Sequence, residues 1–481
     1  MNRIEGENKP MIQKTIFYLF ATTIVLAVAN AQPSASSLIP PDSEIRRILL
    51  QRVDEFRQSV GIIVGMIGPD GRKVIPYGAL EQGDSRVLNG DTVFEIGSVT
   101  KVFTSLLLSD MVQRGQVTLA DPVSKYLPAG VTMPQRNGKQ VTLQDLATHT
   151  SGLPRLPGNL KPKDPANPYA DYSVAQLYEF LSSYELPRDI GSQYEYSNLG
   201  GGLLGHLLTL RAGADYETLV RARITTPLDM KSTSVAMSPE MKVRLAVGHD
   251  DKLKPVANWD LPTLAGAGAL RSTANDMLTF LAATIGYTKT PLAPALAAML
   301  DVRRPSGTPG LDVGLPWHIY STPAGGTIVW HNGGTGGYRS FIGYDPKTRI
   351  GVVVLANAET AAGVDDIGLH LLNAKMPLLE ANAFRPAKER KEVAVDPKVF
   401  DRYAGRYQVA PNCALTITRE GDHIFAQATG QPKLELFAEG EKDYFLKAVD
   451  AQITFEVDAG GAINQLVLHQ AGRDIPAKRV D

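Results

Sequence analysis

Ser98 and Lys101 stand three residues apart in the run Ser98-Val99-Thr100-Lys101. On a helix, residues at that spacing share a face, so the hydroxyl and the amine become neighbours. A serine hydroxyl is a weak nucleophile until a base takes its proton. A lysine serves as that base only when burial or a nearby positive charge lowers its pKa. At the first turn of a helix the backbone amides also face a developing oxyanion. The spacing alone fits equally well a capping serine beside a surface lysine. Context favours chemistry: a strand-like Phe94-Glu95-Ile96 and then Gly97 precede the serine, and an apolar helix follows it.

Two further segments carry suitable groups. Tyr196-Ser197-Asn198 precedes the glycine run Gly200–Gly202. A tyrosine beside a lysine ammonium is expected to have its phenolate favoured by the opposite charge, and to move a proton between serine and leaving group. Asn198 offers an amide to hold a substrate carbonyl. His331-Asn332-Gly333-Gly334 ends a strand pattern. Glycine there lets a substrate approach closely, and the next amide can donate to an oxyanion. Taken singly, a packed tyrosine and a solvated histidine explain these segments too. Rival chemistries lack their residues: the chain has no Gly-x-Ser-x-Gly elbow, no His-Glu-x-x-His and no phosphate-binding loop. Gly200–Gly202 reads as close helix packing.

The elements that must hold these groups are legible as patterns. Ile45, Ile48, Leu49 and Val53 recur at helix spacing, and Gly61–Ile67 with Lys73–Gly78 reads as a strand hairpin around the turn Pro69-Asp70-Gly71-Arg72. The helix expected from Ser98 shows an apolar stripe at Val99, Val102, Phe103, Leu106 and Leu107, with Gly115 at its end. Residues 120–290 read as helices and long loops, including a proline-rich loop from Pro154 to Pro168. Thr327–Trp330, Arg339–Tyr344 and Ile350–Leu355 then read as an antiparallel meander, closed by a helix around Val364–Leu379. Strands at both ends of an α-rich stretch suggest one sheet built from distant segments, with helices on its faces. After a charged linker at 388–396, short alternating strands from 397 to 481 indicate a small β-barrel or sandwich.

Composition bounds the rest. The 481 residues carry 49 Lys plus Arg against 50 Asp plus Glu, which leaves no basic footprint for nucleic acid. Hydrophobic residues at 43% and charged residues at 21% exclude disorder, collagen and coiled coil as the main theme. The single cysteine, Cys413, excludes a disulfide framework and reads as a small packed hydrophobe. The histidines are too scattered to suggest a metal site, and no cofactor is expected. Residues 1–31 read as a signal peptide: Lys9 and Lys14, an apolar run from Ile16 to Val28, and the small-x-small site Ala29-Asn30-Ala31. About 15 apolar residues fall short of the roughly 20 needed to span a bilayer. Met11 is an alternative start. The mature chain is expected in the periplasm or secreted, with no stable membrane span.

In this order the motifs resemble those of the serine β-lactamase and penicillin-binding-protein superfamily, specifically class C β-lactamases and D-alanyl-D-alanine carboxypeptidases and endopeptidases. Phe94–Lys101 looks like that family's active-site segment, and Leu146–Pro154 like its following structural motif. Tyr196-Ser197-Asn198 matches its Tyr-x-Asn element, and Ser272–Asp276 resembles a familiar helix start. The likeness covers residues 43–382. It implies an α+β fold, an antiparallel sheet flanked by helices within residues 32–387. The C-terminal module resembles the accessory barrels appended to many such hydrolases.

The resemblance also implies roles. Ser98 would be acylated, Lys101 and Tyr196 would share base and proton-transfer duty, and Asn198 would orient the substrate. The amides of Ser98 and Gly334 would bind the oxyanion. His331 aligns with the lysine of the family's Lys-Thr-Gly strand, Asn332 with its hydroxyl residue and Gly333 with its glycine. At a pKa near 6.5 such a histidine would offer a substrate carboxylate only a partial, pH-dependent charge. The expected activity is hydrolysis of β-lactams or D-Ala-type peptidoglycan peptides. A carboxylesterase, or an inactive cell-wall binding or sensing protein, are the alternatives on the same scaffold.

Overall fold

A computed structural model describes residues 39–480, apart from 323–324, 361, 381–389, 411–412, 430–432, 448–450, 459 and 471–472. The expected signal peptide lies outside the described residues, as does the start of the expected linker.

Strands β1 (Gly61–Gly68) and β2 (Gly71–Gly78) form the N-terminal hairpin. Six later strands join them: β3 (Arg304–Pro305), β4 (Leu311–Val313), β5 (His318–Ser321), β6 (Thr327–Gly334), β7 (Arg339–Asp345) and β8 (Ile350–Ala356). The eight-stranded order is β2-β1-β8-β7-β6-β5-β4-β3, and every neighbouring pair is antiparallel. The N-terminal hairpin meets the later strands at the pairing of β1 with β8, where Ile62 faces Ala356 and Met66 faces Val352.

Alternation along the strands sorts side chains between two cores. Ile62, Val64 and Met66 of β1, with Val352 and Val354 of β8, join helix α1 (Asp42–Leu50) through Ile45, Ile48 and Leu49. Ile63, Ile67, Val353 and Leu355 point the other way, into the main core. There they meet helix α2 (Thr100–Gln113), helix α3 (Asn198–Ala212) and helix α4 (Ala274–Ile285). Because both faces are covered, these strands read as continuous apolar runs rather than alternating ones.

The α2 region departs slightly from expectation: Ser98 sits in a 3-10 turn, Gly97–Val99, and the α-helix proper starts at Thr100. The last helix of this part, α5, spans only Asp365–Leu372 instead of reaching Leu379. Asn373 turns extended at φ −151°, and Pro377 denies the following turn an amide. The strands between Gly405 and Arg479 close a sequential eight-stranded barrel. Its own core includes Tyr403 stacked on Phe455 at 4.1 Å.

Candidate active site

The segment before Ser98 is clamped from both sides. Val93–Glu95 pairs with Arg271–Thr273, and the buried Glu95 carboxylate accepts from Arg271 (3.1 Å) and from the Trp259 amide (3.0 Å). Ile96 then donates its N–H to Leu270 (3.1 Å) and accepts at its carbonyl from the Ser340 hydroxyl of β7 (2.8 Å). Gly97 follows at φ +48°, where a Cβ would lie 2.7 Å from the Gly334 nitrogen. Only glycine tolerates both that dihedral and that approach. Ser98 is thereby presented beside the end of β6.

Lys101 projects from the first turn of α2 into the protein interior, only 2% exposed. Its Nζ lies 3.0 Å from Ser98 Oγ, 2.9 Å from Asn198 Oδ1 and 2.7 Å from the Ala267 carbonyl. Space for it comes from the glycine run of α3, since a Cβ on Gly201 would fall 2.9 Å from the lysine Cε. Gly205 likewise meets the Gly266 backbone, where its Cβ would stand 2.8 Å from a Cα. The run is a packing device around the lysine. Burial pushes the Lys101 pKa well below its usual value, and the Arg155 guanidinium pushes it further the same way. Among the described residues, no carboxylate stands among its hydrogen-bond partners. A free amine fits them well: two N–H bonds reach Asn198 and Ala267, and the lone pair is left for the serine proton.

Tyr196 lies over this corner, its ring centroid 4.9 Å from Lys101 Nζ and 5.3 Å from Arg155 Cζ. The His149 ring packs against it at 4.6 Å, and His149 Nδ1 accepts from the Ser197 amide (3.2 Å). The expectation that Tyr196 rests as a phenolate is overturned. Burial pushes its pKa up to about 12, and the opposing pull of the Ser98 hydroxyl and Arg155 does not offset it. Tyr196 is therefore a neutral phenol near neutral pH.

A cleft of about 650 Å³ opens over Ser98, lined by Tyr196, Asn198, Asn332, Gly333 and Gly334 among others. Gly333 passes against the serine turn: a Cβ there would stand 2.9 Å from the Ser98 nitrogen and 2.5 Å from Ser340 Oγ. The amides of Ser98 and Gly334 are therefore carried on two segments in contact.

His331 requires a correction. Strand alternation sends it, with Val329 and Gly333, to the buried face of β6, and it is 0% exposed. It is not among the residues lining the cleft. Burial, reinforced by His318, Lys101 and His149, drives its pKa well below the ordinary histidine value, against the smaller pull of the Asn332 carbonyl 2.7 Å from Nδ1. His331 is a neutral strut behind the site. It supplies no titrating charge to a substrate near neutral pH.

Sequence reasoning missed several lining residues: Arg155, Tyr169, Trp259, Arg339, Glu359 and Asp365. Arg155 follows directly on the Leu146–Pro154 motif and was within reach of inspection. The others come together only through the fold. Asn332 donates to Asp365 Oδ2 (2.6 Å), and Arg339 donates to Glu359 (2.6 Å) and to the Thr360 carbonyl (2.9 Å).

Comparison with known proteins identifies the family. A family profile described as Beta-lactamase matches residues 50–374. The chain belongs to the beta-lactamase family, whose members are serine hydrolases. Residues 389–479 match a second profile, described as a domain of unknown function, DUF3471. D-alanyl-D-alanine-carboxypeptidase/endopeptidase AmpH of Escherichia coli is 31% identical over 355 residues, covering 70% of this chain and 90% of AmpH. Penicillin-binding protein 4* of Bacillus subtilis is 27% identical over 454 residues, 90% of this chain and 97% of that one. Among solved structures, a class C beta lactamase from Rhodobacter sphaeroides superposes with a TM-score of 0.59 at 25% identity, covering 69% of this chain and 99% of that one. Within the beta-lactamase family, the expected Ser98, Lys101, Tyr196 and Asn198 meet at one point of this cleft.

Proposed function

We propose that this protein is an exported serine hydrolase that forms an acyl-enzyme at Ser98 and cleaves β-lactam amides or D-Ala-type peptidoglycan peptides. The observation that carries this reading is the buried Lys101 amine, 3.0 Å from Ser98 Oγ and, among the described residues, with no carboxylate bonded to it to hold it protonated. Lys101 takes the Ser98 proton as Oγ attacks the carbonyl carbon. The Ser98 and Gly334 amides receive the oxyanion, and Asn198 steadies the lysine and the substrate amide. Tyr196, protonated at rest, delivers its proton to the leaving nitrogen as the C–N bond breaks, and regains one from the lysine ammonium. Water then attacks the ester and releases Ser98. The names of AmpH, of the Bacillus penicillin-binding protein and of the class C lactamases support this substrate class. Export to the periplasm or medium rests on the leader at residues 1–31. Residues 32–387 are read as the catalytic domain, 388–396 as a linker and 397–481 as an accessory barrel.

A carboxylesterase reading keeps the same nucleophile and draws on one observation: the neutral, buried His331 gives no fixed cation for a substrate carboxylate. Intact-mass spectrometry after addition of a penicillin or a p-nitrophenyl ester tests both. An adduct mapping to Ser98, absent in Ser98→Ala, is the expected result. Adduct formation with the ester alone moves the assignment to an esterase, and full turnover by Ser98→Ala overturns the acyl-enzyme.

A further inference from the structure

His331 is buried and neutral and does not line the cleft, so the end of β6 meets a substrate carboxylate with no cation of its own. The next strand supplies one. β6 and β7 pair antiparallel with Gly334 directly opposite Arg339, and residues paired in that way project on one face of the sheet. Asn332, two residues from Gly334, shares that face, and all three line the cleft. Because Gly334 has no side chain, the guanidinium of Arg339 lies across it: a Cβ added there would run into Nη1. The other two nitrogens hold the group in place. Nε donates to the Thr360 carbonyl (2.9 Å) and Nη2 to Glu359 Oε1 (2.6 Å). Among the described residues Nη1 has no acceptor, although the Arg339 side chain is only 25% exposed.

We propose that Arg339, through its free Nη1 beside Gly334, receives the carboxylate carried by the leaving group of the substrate. The duty thus passes from strand position 331 to a residue of the neighbouring strand. The inference rests on the Ser98 reading and deepens it by naming the residue that selects acidic substrates. A guanidinium keeps its charge at any working pH, and its N–H fork suits the two oxygens of a carboxylate. Glu359 and Asp365 line the same cleft and temper the attraction, but neither occupies Nη1: Glu359 takes Nη2, and Asp365 Oδ2 accepts from Asn332 (2.6 Å). Arg155 adds a second positive charge to the cleft.

The test compares two substrates sharing one acyl group: an N-acetylated D-Ala-D-Ala peptide with a free C-terminal carboxylate, and the same peptide as its C-terminal amide. At pH 7.5 the intact protein is expected to favour the free acid in kcat/KM by about tenfold. Arg339→Gln keeps a polar side chain while removing the charge, and is expected to lower the acid-to-amide ratio about tenfold, chiefly through KM for the acid. Arg339→Lys restores the charge without the fork and is expected to recover part of that ratio. Binding of both peptides to Ser98→Ala gives the acid-to-amide comparison without turnover and without any change at Arg339. Equal use of the two peptides by the intact protein, preference for the amide, or an unmoved ratio in Arg339→Gln overturns the proposal. If neither peptide is turned over and no substrate acylates Ser98, the Ser98 reading itself has failed. Ser98-dependent turnover without discrimination sinks only the role of Arg339.

Discussion

The two walls of the cleft handle charge in opposite ways. At the Lys101 corner a cation is stripped of water and given only neutral partners, so its proton is loosely held. At the Asp365 wall the charged groups are half exposed and bonded to neighbours on the same wall: Asn332 on Asp365, and Arg339 on Glu359. The first arrangement stores reactivity, because desolvation raises the energy of the charged form. The second leaves each carboxylate beside a donor amide or a guanidinium. Substitutions in the two places are expected to differ accordingly. In the lysine corner they lower the rate for every substrate, whereas on the other wall they change the ratio between substrates.

The largest expected loss comes from Lys101→Met, which fills the same buried space without a base. Acylation of Ser98 is expected to slow by about 10³-fold or more, measured by stopped-flow with a penicillin or an activated ester. A loss that differed between charged and neutral substrates would contradict the division of labour between the walls. Gly333→Ala comes next. Its Cβ would enter the Ile96 carbonyl oxygen and stand 2.9 Å from the Ser98 nitrogen, so the two oxyanion donors must separate. Loss of one such donor typically costs about 10²–10³-fold in kcat. A kcat decrease with little change in KM is the expected signature, alongside a lower Tm from the strained turn.

How much of this was legible in the sequence follows from distance along the chain. Ser98 and Lys101 share one helical turn, and Tyr196 and Asn198 share one tripeptide, so local spacing already groups them. The hairpin Gly61–Gly78 and the meander from Thr327 to Ala356 were legible for the same reason, through turn residues and apolar runs. The Asp365 wall was not. Asn332 and Asp365 are 33 residues apart on a strand and a helix, and no periodicity links them. His331 departs from expectation for a different reason. Alignment with the family's lysine carries over neither its exposure nor its charge, because strand alternation sends His331 and Asn332 to opposite faces. Likewise, the phenolate expected at Tyr196 weighed the neighbouring cation but not the burial, and burial is the larger influence.

The smallest and most diagnostic effect concerns Arg155, which lines the cleft beside Tyr196. Its exposed side chain lies 5.3 Å from the Tyr196 ring centroid, and its charge helps hold the pKa of Lys101 down. The sign follows directly. Arg155→Gln removes a repelling cation, the Lys101 ammonium becomes more stable, and its pKa rises toward the ordinary lysine value. The acidic limb of the kcat/KM profile must then move to higher pH. At neutral pH a smaller fraction of the lysine is free amine, so kcat/KM falls for all substrates. Because Arg155 is solvated, water and salt screen its effect, and the expected loss at pH 7 is only about two- to fivefold. Raising the ionic strength should shrink the difference between the intact protein and the variant. A limb that stayed in place while activity fell would show that Arg155 contacts substrate and does not tune the base. A limb that moved downward would contradict a lysine base altogether.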